Sequence, residues 1–213
     1  MELNAENKHR AGIWLHKMDA RVKAIEFVED EHEYWFTDSD GSRRRLHGIT
    51  GVIGKKLGKS FPDTDIVKLA TIYGSDVHKE VENYYNNGGE LSSEGAKWVV
   101  EELSNFANGL IYDRAENIQC EVMVSDFEGT ASKVDVVMHT VEGAYLFDIK
   151  TTSKFDREYC SLQLAVYKYL YEKCYDEKVL NTFVLATKSK NRFRTLDREE
   201  SKIIQLLNMN KEE

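Results

Sequence analysis

With 213 residues, of which 41% are hydrophobic and 31% charged, the chain has the balance of an ordinary globular protein. That balance excludes a disordered or fibrous chain and fits a single compact domain with an N-terminal extension better than two equal halves. A formal net charge of -8 argues against a broad basic nucleic-acid surface, yet carboxylates gathered around divalent cations attract phosphate once the ions invert the local field.

No run of about 18 apolar residues is available to span a bilayer, and Met1 to Arg10 is polar where a signal peptide would be apolar, so a cytoplasmic protein with no membrane is expected. The three cysteines, Cys120, Cys160 and Cys174, are dispersed and form no CxxC pair, which suggests neither a disulfide framework nor a zinc site.

Taken in chain order, Lys23 to Glu29 and Glu33 to Asp38 read as strands. The turn Ser39-Asp40-Gly41 leads to a third extended piece around Arg44 to His47, completing a small N-terminal β-meander. From Asp65, the residues Ile66, Leu69, Ala70, Tyr73, Val77, Val81, Tyr84 and Tyr85 recur at three- and four-residue steps. This spacing predicts one apolar face of a long helix that ends at Asn86-Asn87-Gly88-Gly89. Ser92 or Ser93 opens a second helix through Trp98, Val99, Leu103, Phe106 and Leu110.

Ile118 to Val124, Thr130 to His139 and Ala144 to Thr151 then read as three short strands of an antiparallel meander, separated by Asp126-Phe127-Glu128-Gly129 and Glu142-Gly143. A helix from about Arg157 to Cys174, a strand from Val179 to Thr187, an extended piece near Arg192 to Leu196 and a helix from Arg198 to Met209 complete the chain. The expected class is α/β, an α+β mixed sheet flanked by helices in the order αβββαβ.

Residues two apart in a strand share a face, so Asp148 and Lys150 project to the same side, with Leu146 behind them. Asp135 stands among Val134, Val136 and Val137, where a charge is costly unless it is paired or bound to a cation. Were the hairpin to set Asp135 about 4 Å from Asp148, the two carboxylates would repel by roughly 4 kcal/mol at an effective dielectric of about 20. A hard divalent cation, Mg²⁺ or Mn²⁺, would turn that repulsion into attraction. Glu121 on the neighbouring strand could add a carboxylate or orient a water. A plainer reading stands beside this one, in which Asp148 and Lys150 form a surface ion pair and Asp135 bonds a backbone amide. The basic runs Arg43-Arg44-Arg45, Lys55-Lys56 with Lys59, and Lys188 to Arg194 are either solvated edges or contacts to DNA.

Three segments together resemble a known family: Gly129-Thr130-Ala131-Ser132-Lys133-Val134-Asp135, Asp148-Ile149-Lys150-Thr151-Thr152, and Gln163-Leu164-Ala165-Val166-Tyr167. They are similar to the G-x-x-D, (D/E)-x-K-T and Q-x-x-x-Y elements of the RecB-like and Cas4-like exonuclease branch of the PD-(D/E)XK nucleases, and their order agrees. Gly74-Ser75-Asp76-Val77-His78 resembles the G-x-x-x-H helix of that group. Leu46 to Ile53 is similar to a short segment that phage and prophage exonucleases carry before it. The resemblance covers about His32 to Ala186. The residue before Asp135 is valine where the superfamily name has proline.

That resemblance implies a restriction-endonuclease-like core over residues 61–213 with a β-hairpin extension over residues 1–60. His78, Asp135 and Asp148 would be metal ligands, joined by the carbonyl of Ile149, and Lys150 would contact the attacking water or the scissile phosphate. Gln163 and Tyr167, four apart on a helix and so on one face, would orient the substrate backbone and Lys150. Glu121 matches an acidic position found in many members.

The implied activity is a Mg²⁺- or Mn²⁺-dependent deoxyribonuclease, an exonuclease of DNA recombination or repair that acts on linear ends or single strands, with a recombination or helicase protein as partner. Three scattered cysteines do not reproduce the four that hold an iron–sulfur cluster, so no cluster is expected. The alternatives are a catalytically silent DNA-binding domain of the same fold and another Mg²⁺-dependent phosphohydrolase.

Overall fold

The structure is a computed structural model and describes residues 18–58, 64–110 and 115–208. The polar stretch Met1 to Arg10, and also Lys59, Pro62 and Met209, lie outside the described residues. Among the described residues the fold is mixed α/β, an eight-stranded mixed sheet with helices on both faces.

The described residues open on a short 3-10 helix, Ala20–Ala24, next to which the Asp19 side chain accepts from the Arg21 amide at 2.9 Å. The first strand therefore starts later than the expected Lys23, as β1, Ile25–Val28. It pairs antiparallel with β2, Glu33–Thr37, and β2 with β3, Arg43–Gly48. The Ser39-Asp40-Gly41 turn falls where expected, with Gly41 at φ +85. The end of β3 then runs parallel to β5, Thr130–Thr140, through His47↔Thr130 and Gly48↔Ala131, so the meander continues the main sheet.

A helix absent from the sequence reading follows, α1, Ile49–Lys56, which buries Ile49, Val52 and Ile53. Its Ile-Thr-Gly-Val-Ile-Gly composition has low helix propensity. Burial of its apolar side outweighs that preference.

Helix α2, Asp65–Asn87, is capped by the Thr64 hydroxyl, which accepts from Val67 N at 3.3 Å, and stops at Gly88, whose φ of +69 suits a residue without Cβ. The expected apolar face is only half used. Val77 and Val81 are buried, whereas Ile66 and Leu69 are 80% and 66% exposed among the described residues. Helix α3, Glu94–Gly109, is capped by Ser93 and buries Ala96, Val99 and Leu103.

Strand β4, Ala115–Ser125, pairs antiparallel along β5, and β5 pairs antiparallel with β6, Ala144–Lys150, as the meander reading required. Helix α4, Arg157–Tyr175, crosses over to β7, Val179–Ala186, which lies parallel to β6. Strand β8, Asn191–Arg194, and helix α5, Glu200–Asn208, complete the fold.

Two cores result. Val77, Val81, Val99 and Leu103 of α2 and α3 pack on Val136, Phe147, Ile149 and Leu185 of one sheet face. On the other, Leu164, Tyr171, Ile203 and Ile53 of α4, α5 and α1 pack on Val134, Val137 and Leu146. β6 lies between β5 and β7 and is buried on both sides, which explains its near-continuous apolar run and makes Asp148 within it conspicuous.

Candidate metal centre

The ladder between β5 and β6 stops at Val136↔Phe147. One more step would pair Asp135 with Asp148. Instead the Asp135 side chain takes over the ladder's role, and its Oδ2 accepts from the Ile149 amide at 2.7 Å. Because β4 holds one edge of β5 as far as Ser125↔Ala131, β3 must join the same edge that β6 uses farther along. The stretch of β5 between Ala131 and Val136 therefore has an edge free of strand pairing, and side chains from both faces of the sheet meet there.

From one face comes His78. The burial of Val77 and Val81 sets the rotation of α2, leaving His78 on the margin of the apolar stripe, and Gly74 one turn earlier lets the helix approach the sheet. A Cβ on Gly74 would stand 3.0 Å from Thr151 Oγ1, tighter than ordinary contact. His78 Nε2 lies 3.2 Å from the Ile149 carbonyl oxygen, which can only accept, so Nε2 carries a proton. Nδ1 then faces Asp135 Oδ2 at 3.7 Å and Glu121 Oε1 at 3.8 Å.

Glu121 reaches this point through unusual backbone. It sits within β4 between the paired residues Cys120↔Val136 and Val122↔Val134, yet its φ is +55, in the left-handed region. For a residue with Cβ that conformation costs on the order of 1–2 kcal/mol. Nothing in Cys120-Glu121-Val122 announces it, since neither glycine nor asparagine is present. Lys133 Nζ is 3.7 Å from its Oε2.

From the other face come Lys150 and its supports. Lys150 Nζ lies 2.9 Å from Asp148 Oδ1 and 2.8 Å from Oδ2, and donates to Gln163 Oε1 at 3.2 Å. Gln163 Nε2 donates to Tyr167 Oη at 2.8 Å, and Ser132 Oγ to the same oxygen at 3.3 Å. The i and i+4 spacing on α4 brings Gln163 and Tyr167 to one face. Asp148 is 1% exposed, so its pairing with Lys150 is a buried ion pair and not the surface one of the plainer reading. Only Oδ1 receives the ammonium in hydrogen-bonding geometry, and Oδ2 is buried without a directed donor.

The electrostatics follow from this crowding. Burial pushes the Asp135 carboxyl up, and the charges of Asp148 and Glu121 add to it against His78 and Lys150, leaving it at about 7. Burial alone would lower His78. Asp135 first, and then Glu121, outweigh burial and raise the imidazole to about 9. Lys150 is likewise penalised by burial but held above its ordinary value by Asp148 and Asp135, so it remains an ammonium. A proton on His78 Nδ1 and the ammonium of Lys150 thus provide the positive charge that the three carboxylates need.

His78, Glu121 and Asp135 each offer one donor atom, all within 4.8 Å of one another. One imidazole and two carboxylates form a donor set that can hold a divalent cation, and the undirected Asp148 Oδ2 is a buried oxygen with unused acceptor capacity. The grouping brings together His78 and Asp135 of the expected ligand set with Glu121, the further carboxylate that the sequence offered. Of the rest of that set, Asp148 is held by Lys150, and the Ile149 carbonyl faces His78.

The basic runs divide. Arg43 pairs with Glu26, Arg44 with Asp38 and Arg45 with Glu33, so this triplet is a hairpin edge knitted by local carboxylates. Arg192 pairs with Glu102 at 2.7 Å. No helix among the described residues is long and apolar enough to cross a membrane.

No family model matches the chain, and no curated protein does. Among solved structures, the crystal structure of SSO0001 is similar to it at 14% identity and a TM-score of 0.31, over 76% of this chain and 82% of that one. A likeness of that size carries no argument about fold or function.

Proposed function

We propose that the chain is a metal-dependent deoxyribonuclease of the PD-(D/E)XK type with a restriction-endonuclease-like core, acting on DNA ends as an exonuclease. The observation that carries this reading is the meeting of His78, Glu121 and Asp135 beside a buried Asp148–Lys150 pair, where β5 and β6 part. A purely structural role gives little reason to bury Asp148 and to crowd Asp135 with Glu121, because like charges in low dielectric are destabilising. A centre that receives a divalent cation and a phosphate requires such crowding.

Each group then has a task. His78, Glu121 and Asp135 would hold the cation, with Asp148 Oδ2 as a further oxygen. When bound, Mg²⁺ or Mn²⁺ supplies Lewis-acid stabilisation of the phosphate and lowers the pKa of a coordinated water. Lys150, kept charged by Asp148 and Asp135, offers its ammonium to the charge that develops on a phosphate during in-line displacement. Gln163, anchored on Tyr167, fixes where that ammonium points. The exonuclease mode, and the setting in recombination or repair with a recombination or helicase partner, come from the sequence resemblance alone.

The test is to incubate the purified chain with end-labelled linear DNA and with circular DNA, with and without Mg²⁺. Mononucleotides released only from linear DNA, and only with the metal, are the expected result. Loss of circles would replace the exonuclease with an endonuclease, while retention without cleavage under every condition would overturn the nuclease reading in favour of a binding domain.

A further inference from the structure

We propose that Lys188, on the turn between β7 and β8, is the contact for a backbone phosphate of the substrate adjoining the one at Lys150. This rests on the nuclease reading above and extends it to how the strand is held. The turn starts at the candidate centre. Ala186 is the register partner of Lys150, and the amide of the next residue, Thr187, donates to the Lys150 carbonyl at 2.9 Å.

One residue farther on, Lys188 Nζ lies 4.5 Å from the centre of the Tyr73 ring. Tyr73 precedes Gly74, the residue at which α2 closes on Thr151. The ammonium therefore joins the turn after β7 to α2, next to the point where Gly74 meets Thr151, the residue that follows Lys150.

Its surroundings differ from those of the β3 arginines and of Arg192. The three arginines of β3 and Arg192 of β8 each have a carboxylate partner, whereas Lys188 is exposed and shows no carboxylate partner among the described residues. The aromatic face restrains a long side chain without neutralising it, so the charge is oriented but still available to an anion. An ammonium is a compact point charge that serves phosphate well.

The turn itself is ordered. Asn191 Nδ2 donates to the Ser189 carbonyl at 2.9 Å, and Lys190 adopts φ +49.

The experiment measures steady-state cleavage of an end-labelled oligodeoxynucleotide by the full chain and by Lys188→Ala, Lys188→Arg and Lys178→Ala, across a series of KCl concentrations with Mg²⁺ present. Lys178 is exposed and lies beside Ala144, at the opposite end of β6. Lys188→Ala should raise KM about five- to ten-fold with kcat within about two-fold, and should lower the slope of log KM against log salt by about 0.7 for a single strand. Lys188→Arg should restore most of the loss, and Lys178→Ala should match the parent. A Lys188→Ala enzyme with the parent's KM and salt slope overturns the proposal, as does an equal loss in Lys178→Ala. A parent that cleaves no oligonucleotide overturns the nuclease reading and this inference with it, an outcome distinct from the other two.

Discussion

Asp135 Oδ2 accepts the Ile149 amide at 2.7 Å, and with that bond a side chain replaces the backbone ladder at the point where β5 and β6 separate. The substitution places a carboxylate in the seam of the sheet, open to His78 from one face and close to Lys150 from the other. It follows that Asp135 has a structural role and a candidate chemical one, and that the two can be separated.

Asp135→Asn keeps an oxygen for the Ile149 amide but removes the negative charge. Its melting temperature should stay within a few degrees of the parent, because burial, with Asp148 and Glu121 beside it, already disfavours the charged form of this carboxyl. Mn²⁺ affinity, read by calorimetry, should fall by at least about ten-fold, and cleavage by about 100-fold or more. Cleavage within a few-fold of the parent would remove Asp135 from the site.

Lys150→Met leaves Asp148, 1% exposed, without its counter-charge. Breaking a buried pair from one side costs about 3–5 kcal/mol, so urea unfolding should show a loss of that order. Adding Asp148→Asn should recover most of it, since the double variant no longer holds that unpaired carboxylate, while cleavage stays absent. Equal instability in the single and double variants would show that the pair is not coupled as described.

Glu121 holds a left-handed φ of +55 that glycine adopts freely. Glu121→Gly should therefore be more stable than Glu121→Ala by about 1 kcal/mol, the reverse of the usual order inside a strand. Both variants should lose Mn²⁺ affinity to the same extent, since each lacks the carboxylate. An alanine variant as stable as the glycine one would mean that the backbone there is not strained.

Tyr167→Phe removes the oxygen that Gln163 Nε2 and Ser132 Oγ both use. Leaving buried donors unsatisfied costs about 1–3 kcal/mol, visible as a lower urea midpoint. With Gln163 no longer anchored, Lys150 loses its orientation, and kcat should fall by about ten-fold with KM nearly unchanged. A change confined to KM would point to substrate binding and away from positioning.

Much of the fold was legible in the chain before any coordinates. The turns that bound Thr130 to His139, the apolar run before Asp148, the serine cap and the Asn-Asn-Gly-Gly stop are local signals, and they fall within a few residues of the observed β5, β6, α2 and α3. Helix α1 was not legible, because its glycines and β-branched residues disfavour a helix that burial nevertheless stabilises. Periodicity placed α2 from Asp65 to its glycine stop, but spacing identifies an apolar face without saying how much of it is covered, and Ile66 and Leu69 are exposed among the described residues.

For the candidate site, the residue types and their order along the chain were set by the sequence alone: a histidine one turn after a glycine, an aspartate in a valine strand, the Asp148 and Lys150 pair, and the Gln163 and Tyr167 step. The tertiary structure decided which of them touch. Glu121 joins His78 and Asp135, while Asp148 turns to Lys150, because the register of β4 and β5 and the parting of β6 determine which side chains share the gap. Spacing puts Asp148 and Lys150 on one side of β6, but it carries no record of the register between strands or of where β6 leaves β5, which become final only when the two cores close on opposite faces of the sheet.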